Sequence, residues 1–544
     1  HTHPWKVNAL TCSKAGLSVL EETFNGTGLV GPYVDPGHTL AVKLRNEIRR
    51  FVTKHGHEPQ LIFLKNHGLI VSADTPAEIR RLTSDVVAGC EAHITALPKA
   101  SPASRPPRTP EIAALATVIR STLSVDRRKT TTLLQDPLTM HFCESAARFK
   151  PVVNPFTPDQ IVYCRSHPLF TEASERTYLR ALEGYRKRYG VDPYVIAVKG
   201  VGLVAAGDSA REAGIIRDVF HDAMKIAHAS EKTGGPRPMT PSARKFIQSW
   251  EVERYRRSQA TASNESGGSG ARGRTAVVTG GAQGFGEGIV RSLFNDGYNV
   301  VIADVNDEGG AALAAELSQS APERPNGITF VRADVSDETS VSGLLRETVF
   351  SFGGCDLFVS NAGVLRAGGL EEIDGATFDF MTNVNYRGYF VCAKFASEVM
   401  KRQHAHAPHF YSDIIQINSK SGLEGSNKNF TYAGGKFGGI GLTQSFALEL
   451  IPSGIKVNSI CPGNFLDGPL WSDPKKGLFV QYLKAGKVPG AKTVEDVRRA
   501  YEAKVPAGRG CTVADVMRAI HYVIKQEYET GQAVPVTGGQ IMLK

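Results

Sequence analysis

Tyr432 and Lys436 are spaced Y-x-x-x-K, and Ser419 stands 13 residues before the tyrosine. A tyrosine and a lysine one helical turn apart place an ammonium beside a phenol. A cation there favours the phenolate and lowers the tyrosine pKa toward working pH. Ser419 can then polarise the same substrate oxygen. Upstream lies a glycine-rich turn, Thr279-Gly280-Gly281-Ala282-Gln283-Gly284-Phe285-Gly286. It follows an apolar strand and opens a helix, so bare backbone and helix-terminal N–H groups can approach a pyrophosphate. The turn predicts a dinucleotide, and the Tyr-Lys pair predicts its use: hydride transfer to or from a carbon bearing oxygen. Each motif alone is weak, since Y-x-x-x-K also occurs on surface helices and a lone glycine turn is usually a loop. Their order and spacing constrain each other.

Asp304 ends the second strand, 18 residues past Gly286. A carboxylate there accepts hydrogen bonds from both ribose hydroxyls and repels a 2′-phosphate. No arginine or lysine follows it in ADVNDEGG, so the expected cofactor is NAD and NADP is disfavoured.

The elements that must hold these residues alternate along the C-terminal half. Apolar strands are expected at 274–280, 298–305, 327–335, 356–363, 413–422 and 455–463, with a helix over 286–296 after the glycine turn. Such alternation predicts an α/β fold with a Rossmann-type doubly wound parallel sheet. Residues 258–273 carry no large apolar side chain and are expected to be a flexible linker. A second, proline-rich break spans Pro98–Pro110. The expected ranges are therefore 1–98, 105–257, the linker 258–273, and 274–544.

The N-terminal half contains an internal repeat. EPQLIFLKNHGLIVSADTPAEI (58–79) aligns without a gap on DPYVIAVKGVGLVAAGDSAREA (192–213) at an offset of 134. Each copy reads as strand, glycine turn, strand, capped helix. The helices are expected over 76–95 and 209–229. His67 of the first copy is Val201 in the second. His1 and His3 are alternate residues, so on a strand both imidazoles would face one side. With His67 at the glycine turn, the three could hold zinc with an open fourth position. Surface or hydrogen-bonded histidines are the competing reading.

Bulk properties narrow the field. The 544 residues leave room for several domains and a large core. Hydrophobic residues make up 41% and charged residues 22%, an ordinary globular balance. The net charge of +9 is modest, and no basic block with interleaved aromatics suggests a nucleic-acid partner. None of the eight cysteines has a metal or disulfide spacing, which fits a reducing, cytoplasmic setting. No apolar run approaches membrane-spanning length, and no signal peptide is expected.

Residues 272–544 resemble the short-chain dehydrogenase/reductase family. The family's T-G-x-x-x-G-x-G stands at Thr279–Gly286, its adenine-side aspartate at Asp334 beside Val335, and its N-A-G at Asn361-Ala362-Gly363. Its relay asparagine corresponds to Asn385, and its P-G beside the nicotinamide to Pro462-Gly463. The family spacing selects Ser419 over Ser421. The resemblance implies that Tyr432 is the general base for alcohol oxidation and that Lys436 also binds the nicotinamide ribose. It further implies that Asn385 anchors a relay water and that the chain forms homo-oligomers. Within the family, IIQINSKSGLEGS (414–426), KFGGIGLTQSFALEL (436–450), KVPAGRGC (504–511) and TGQAVPVTGGQIM (530–542) look most like sorbitol-6-phosphate 2-dehydrogenases. That implies a polyol, sugar or sugar-phosphate substrate. Arg366, Lys420 and Lys428 are candidate cations for a phosphate.

HTHPWKVNALTCS (1–13), PYVDPG (32–37) and LKNHGLIVSADTPAEI (64–79) resemble class II aldolase/adducin domains. There H-x-H and the H-G histidine hold a catalytic zinc, implying His1, His3 and His67 as ligands. The layout is similar to bifunctional rhamnulose-phosphate aldolase/dehydrogenases. The family's catalytic acid and phosphate loop lie upstream of H-x-H, so this α/β region is expected to be truncated at its start. The copy with Val201 is expected to be degenerate and metal-free. Adducin-type members supply the alternative: a non-catalytic interaction module beside a dehydrogenase of a small alcohol or hydroxy-aldehyde.

Overall fold

The structure is a computed structural model and describes residues 1–99, 108–250, 271–484 and 486–542. The chain divides into two compact units. One is drawn from His1–Arg108, Thr132–Gly207 and Glu212–Ser266. The other is drawn from Thr109–Thr131, Asp208–Arg211 and Gly267–Lys544. Most of the expected linker, 258–270, lies outside the described residues.

The second unit is built on a seven-stranded sheet. Its strands are Thr275–Thr279, Asn299–Asp304, Ile328–Arg332, Leu357–Ser360, Ser412–Ile417, Ile455–Pro462 and Ala533–Val536. In space they run third, second, first, fourth, fifth, sixth, seventh, with every neighbouring pair parallel. Five of these strands are buried along their whole length, as the unbroken apolar runs require when helices cover both faces. The order reverses between the first and fourth strands, so ligand-binding loops converge beyond their carboxyl ends. The strand expected over 413–422 stops at Ile417. Beyond it the Asn418 side chain donates to the Lys436 carbonyl and turns the chain into a short 3-10 segment, Lys420–Gly422. The seventh strand, with Pro535 inside it, lies at the sheet edge, where a missing N–H is tolerated.

The expected range 105–257 does not hold together as one body. Helix Pro110–Leu123 packs against Glu338–Phe352 and Gly388–His406 of the dehydrogenase unit. A buried ion cluster fixes it there. Arg120 Nη2 lies 2.6 Å and Arg128 Nε 2.9 Å from the Asp356 carboxylate. Burial opposes ionisation of Asp356, but Arg120 and then Arg128 prevail and hold its pKa down at about 2.

In the first unit, the repeat reappears as paired hairpins. Leu61–Leu64 pairs antiparallel with Gly68–Val71, and Val195–Val198 pairs antiparallel with Gly202–Gly207. Leu64 faces Gly68 as Val198 faces Gly202, so the repeat is preserved in register. Each hairpin also carries a parallel neighbour, Gly28–Gly31 or Leu169–Thr171. Helix Pro76–Glu91 follows the first hairpin, capped by Thr75. Among the described residues, no helix is long and apolar enough to cross a membrane.

Candidate functional site

The glycine turn is built by close approaches. Gly280 has φ +61°, and a Cβ on it would lie 2.9 Å from the Ala362 Cα. A Cβ on Gly286 would lie 1.9 Å from the Gly280 carbonyl oxygen. Gly284 has φ +62°, which also favours glycine. Thr279 and Asn361 lock this turn to the N-A-G segment. The Thr279 hydroxyl accepts from the backbone N–H groups of Asn361 (3.0 Å) and Ala362 (3.1 Å). The Asn361 amide donates to the carbonyls of Thr279 and Gly280, both at 3.0 Å. Its side chain is thus engaged by the turn.

Asp304 is nearly buried at its strand end. Its carboxylate accepts from the backbone of Ala282 and of Asn306, both at 3.0 Å, so it ties the second strand to the glycine turn. Asp334 accepts from Ser336 through both backbone (2.9 Å) and hydroxyl (2.7 Å). The Val335 side chain is buried in the core.

Helix Phe430–Leu450 carries Tyr432 and Lys436. The Lys436 ammonium sits 5.5 Å from the Tyr432 ring centroid and donates to the Ile417 carbonyl at 2.8 Å. Burial drives its pKa down to about 8. Burial also pushes the Tyr432 phenol up, opposed by its hydrogen bond with Ser419. The direction is thus opposite to the expected lowering of the tyrosine pKa. The ammonium is turned toward a carbonyl, and desolvation of the phenol outweighs it.

Asn385 lies buried in a π-helical turn, Asn383–Arg387. Its side chain accepts from the Val364 N–H (2.9 Å) and donates to the Val364 carbonyl (2.8 Å). Pro462 ends the sixth strand, and the Gly463 N–H donates to Val536 at 2.9 Å. Two positions that contact the candidate site residues escape the motif reading. Asn418 accepts from the Ser419 N–H at 2.8 Å while bonding Lys436, so it spaces the serine from the helix. Phe465 stacks on Phe285 of the glycine turn, with centroids 4.4 Å apart. It opens a lobe whose core is Leu466, Trp471, Leu478, Phe479, Tyr482 and Val497.

The three phosphate candidates have distinct settings. Arg366 stacks over Phe380 at 4.7 Å, and Lys428 pairs with Glu372 at 3.4 Å. Lys420 is half-buried, and burial lowers its pKa, with Lys504 adding repulsion.

In the first unit the three histidines meet. Thr2 exchanges two 2.9 Å backbone hydrogen bonds with Leu69, which sets His1 and His3 beside the turn bearing His67. One nitrogen from each lies within 4.8 Å of the others. The Nε2 atoms of His1 and His3 are 3.2 Å apart. Burial pushes the His67 pKa down to about 4, keeping the imidazole in its neutral, ligating form. The donor set suits zinc, whose bonds to imidazole are about 2.0–2.1 Å. Asp159, which no motif marks, is hydrogen-bonded to His3 Nδ1.

A family model described as short chain dehydrogenase matches residues 274–473. Sorbitol-6-phosphate 2-dehydrogenase of Escherichia coli (strain K12) is 38% identical over 273 residues, covering 49% of this chain and 99% of that protein. The chain belongs to the short-chain dehydrogenase family. It is thereby an oxidoreductase acting on CH–OH groups. A 3-alpha-(or 20-beta)-hydroxysteroid dehydrogenase of Mycobacterium bovis (strain ATCC BAA-935 / AF2122/97) is 37% identical, covering 49% of this chain and 90% of that protein. An uncharacterized oxidoreductase, YuxG, of Bacillus subtilis (strain 168) is 23% identical and extends over 86% of this chain and 70% of its own length.

Proposed function

We propose that the dehydrogenase unit interconverts a secondary alcohol and a ketone on a polyol or sugar phosphate, with NAD as cofactor. The observation that carries the reading is the grouping of Ser419, Tyr432 and the buried Lys436 in one unit with a glycine turn locked to the N-A-G segment. The similarity to a sorbitol-6-phosphate dehydrogenase supports the substrate class.

When bound, NAD supplies the hydride acceptor. Gly280, Gly284, Phe285 and Gly286 would hold its pyrophosphate. Asp304 would accept from the ribose hydroxyls, and Asp334 and Val335 would serve the adenine side. Asn361, Ala362, Gly363, Pro462 and Gly463 would serve the nicotinamide side. Tyr432 takes the hydroxyl proton during oxidation and returns it during reduction. Ser419 holds the same oxygen, and the Lys436 charge stabilises the phenolate. The Asn385 side chain is held at both ends by Val364, which fixes the position from which it would anchor a relay water.

In the first unit, His1, His3 and His67 would hold zinc, which supplies a Lewis acid for a carbonyl when bound. Their convergence favours this over a metal-free interaction module. Cleavage of a sugar-phosphate carbon–carbon bond is the activity that the aldolase resemblance implies.

Incubation with NAD and a panel of polyols and polyol phosphates is expected to raise absorbance at 340 nm. No signal with any member would sink the dehydrogenase reading of the substrate. Metal analysis of the purified chain is expected to find about one zinc per chain, lost in His67→Ala.

A further inference from the structure

The two copies of the repeat differ in chemistry: the first keeps His67, and the second has Val201. The second copy nevertheless belongs to a stretch of the chain that reaches the histidine cluster. Helix Pro158–Cys164 begins in that stretch, and Asp159 lies in its first turn. Its carboxylate accepts from His3 Nδ1, which leaves His3 Nε2 directed at His1 Nε2. A carboxylate on one imidazole nitrogen fixes the tautomer, aims the ring and raises the basicity of the other nitrogen.

A chance surface pair would have no scaffold, but this one does. Asn66, immediately before His67, is buried and adopts a left-handed backbone with φ 52°. Its amide donates to the Phe156 carbonyl at 3.0 Å and to the Arg237 carbonyl at 2.8 Å. The Gln160 side chain accepts from the Phe156 N–H at 2.9 Å, so residues 156 to 160 form one braced segment. The Cys12 thiol also reaches the Phe156 carbonyl, at 3.7 Å. Thus the same buried amide that shapes the His67 turn holds the segment bearing Asp159.

We propose that Asp159 is a positioning residue for a metal centre at His1, His3 and His67, holding His3 with Nε2 free to ligate a divalent cation such as zinc. A carboxylate outside both copies, upstream of the one without a histidine, thereby completes the site of the copy that has one. This rests on the reading of the histidine cluster as a zinc site.

The test uses the full chain, with zinc affinity measured by competition against a chromogenic chelator. Wild type, Asp159→Asn, Asp159→Glu and His67→Ala are compared. Asp159→Asn keeps the shape but loses the charge, and is expected to weaken zinc binding by about 10–100-fold. Asp159→Glu should recover part of the loss. The visible spectrum of the cobalt-loaded protein should change in Asp159→Asn, a signature that a purely structural ion pair would not move. Zinc affinity within twofold of wild type in Asp159→Asn, with an unchanged cobalt spectrum, would overturn the role of Asp159 alone. Wild type binding no more zinc than His67→Ala would overturn the metal centre itself.

Discussion

Desolvation drives the Lys436 ammonium down to about 8 and pushes the Tyr432 phenol up, so the two move apart. Alcohol oxidation needs the phenolate, so its kcat/KM is expected to rise with pH through the alkaline range. Carbonyl reduction needs the phenol and should fall over the same range. Initial rates in both directions across pH check this, and parallel profiles would contradict it. Tyr432→Phe is expected to lose about 10²–10⁴-fold in kcat while NAD affinity, read by fluorescence titration, stays within a few-fold. The candidate residues for the chemistry could be read from the sequence because their types and spacing together point to one reaction. Asn418 and Asp159 could not, because one acts through backbone geometry and the other through a contact 156 residues away in sequence.

At the scale of elements, the glycine turn works by exclusion of side chains. Gly286→Ala would set a methyl 1.9 Å from the Gly280 carbonyl, so something must shift. The expected outcome is loss of NAD binding together with about 1–3 kcal/mol of destabilisation, read by calorimetry and chemical denaturation. Phe465→Ala removes the ring stacked on Phe285 and is expected to raise the NAD dissociation constant several-fold. Alternating apolar runs revealed the first six strands of the large sheet. The seventh, Ala533–Val536, is only four residues long, contains proline and is not fully buried, so it has no comparable pattern. The strands Gly28–Gly31 and Leu169–Thr171 are likewise too short to show a period.

For the whole molecule, composition breaks suggested where the chain divides, and they misplaced helix Pro110–Leu123. Its anchor is an ion cluster formed with residues far along the chain, which no local pattern records. The consequence is measurable in acid. The folded pKa of Asp356, about 2, lies below its ordinary 3.8, so its contribution is present above pH 3.8 and disappears as pH falls toward 2. The shift corresponds to ~2 kcal/mol. Arg120→Ala should lower the thermal midpoint of the dehydrogenase unit by leaving Asp356 short of a buried partner, at a cost of about 3–5 kcal/mol. Calorimetry showing an unchanged midpoint would contradict that role.

The same anchor bears on how the protein is made. Arg120 leaves the ribosome 236 residues ahead of Asp356. For that interval its helix presents an apolar face with nothing of its own unit to cover it. Long-range closures of this kind slow folding and expose surface to aggregation. Yield in a cell should therefore depend on chaperone supply, and supplying residues 109–131 after the dehydrogenase strands, by circular permutation, should relieve that dependence.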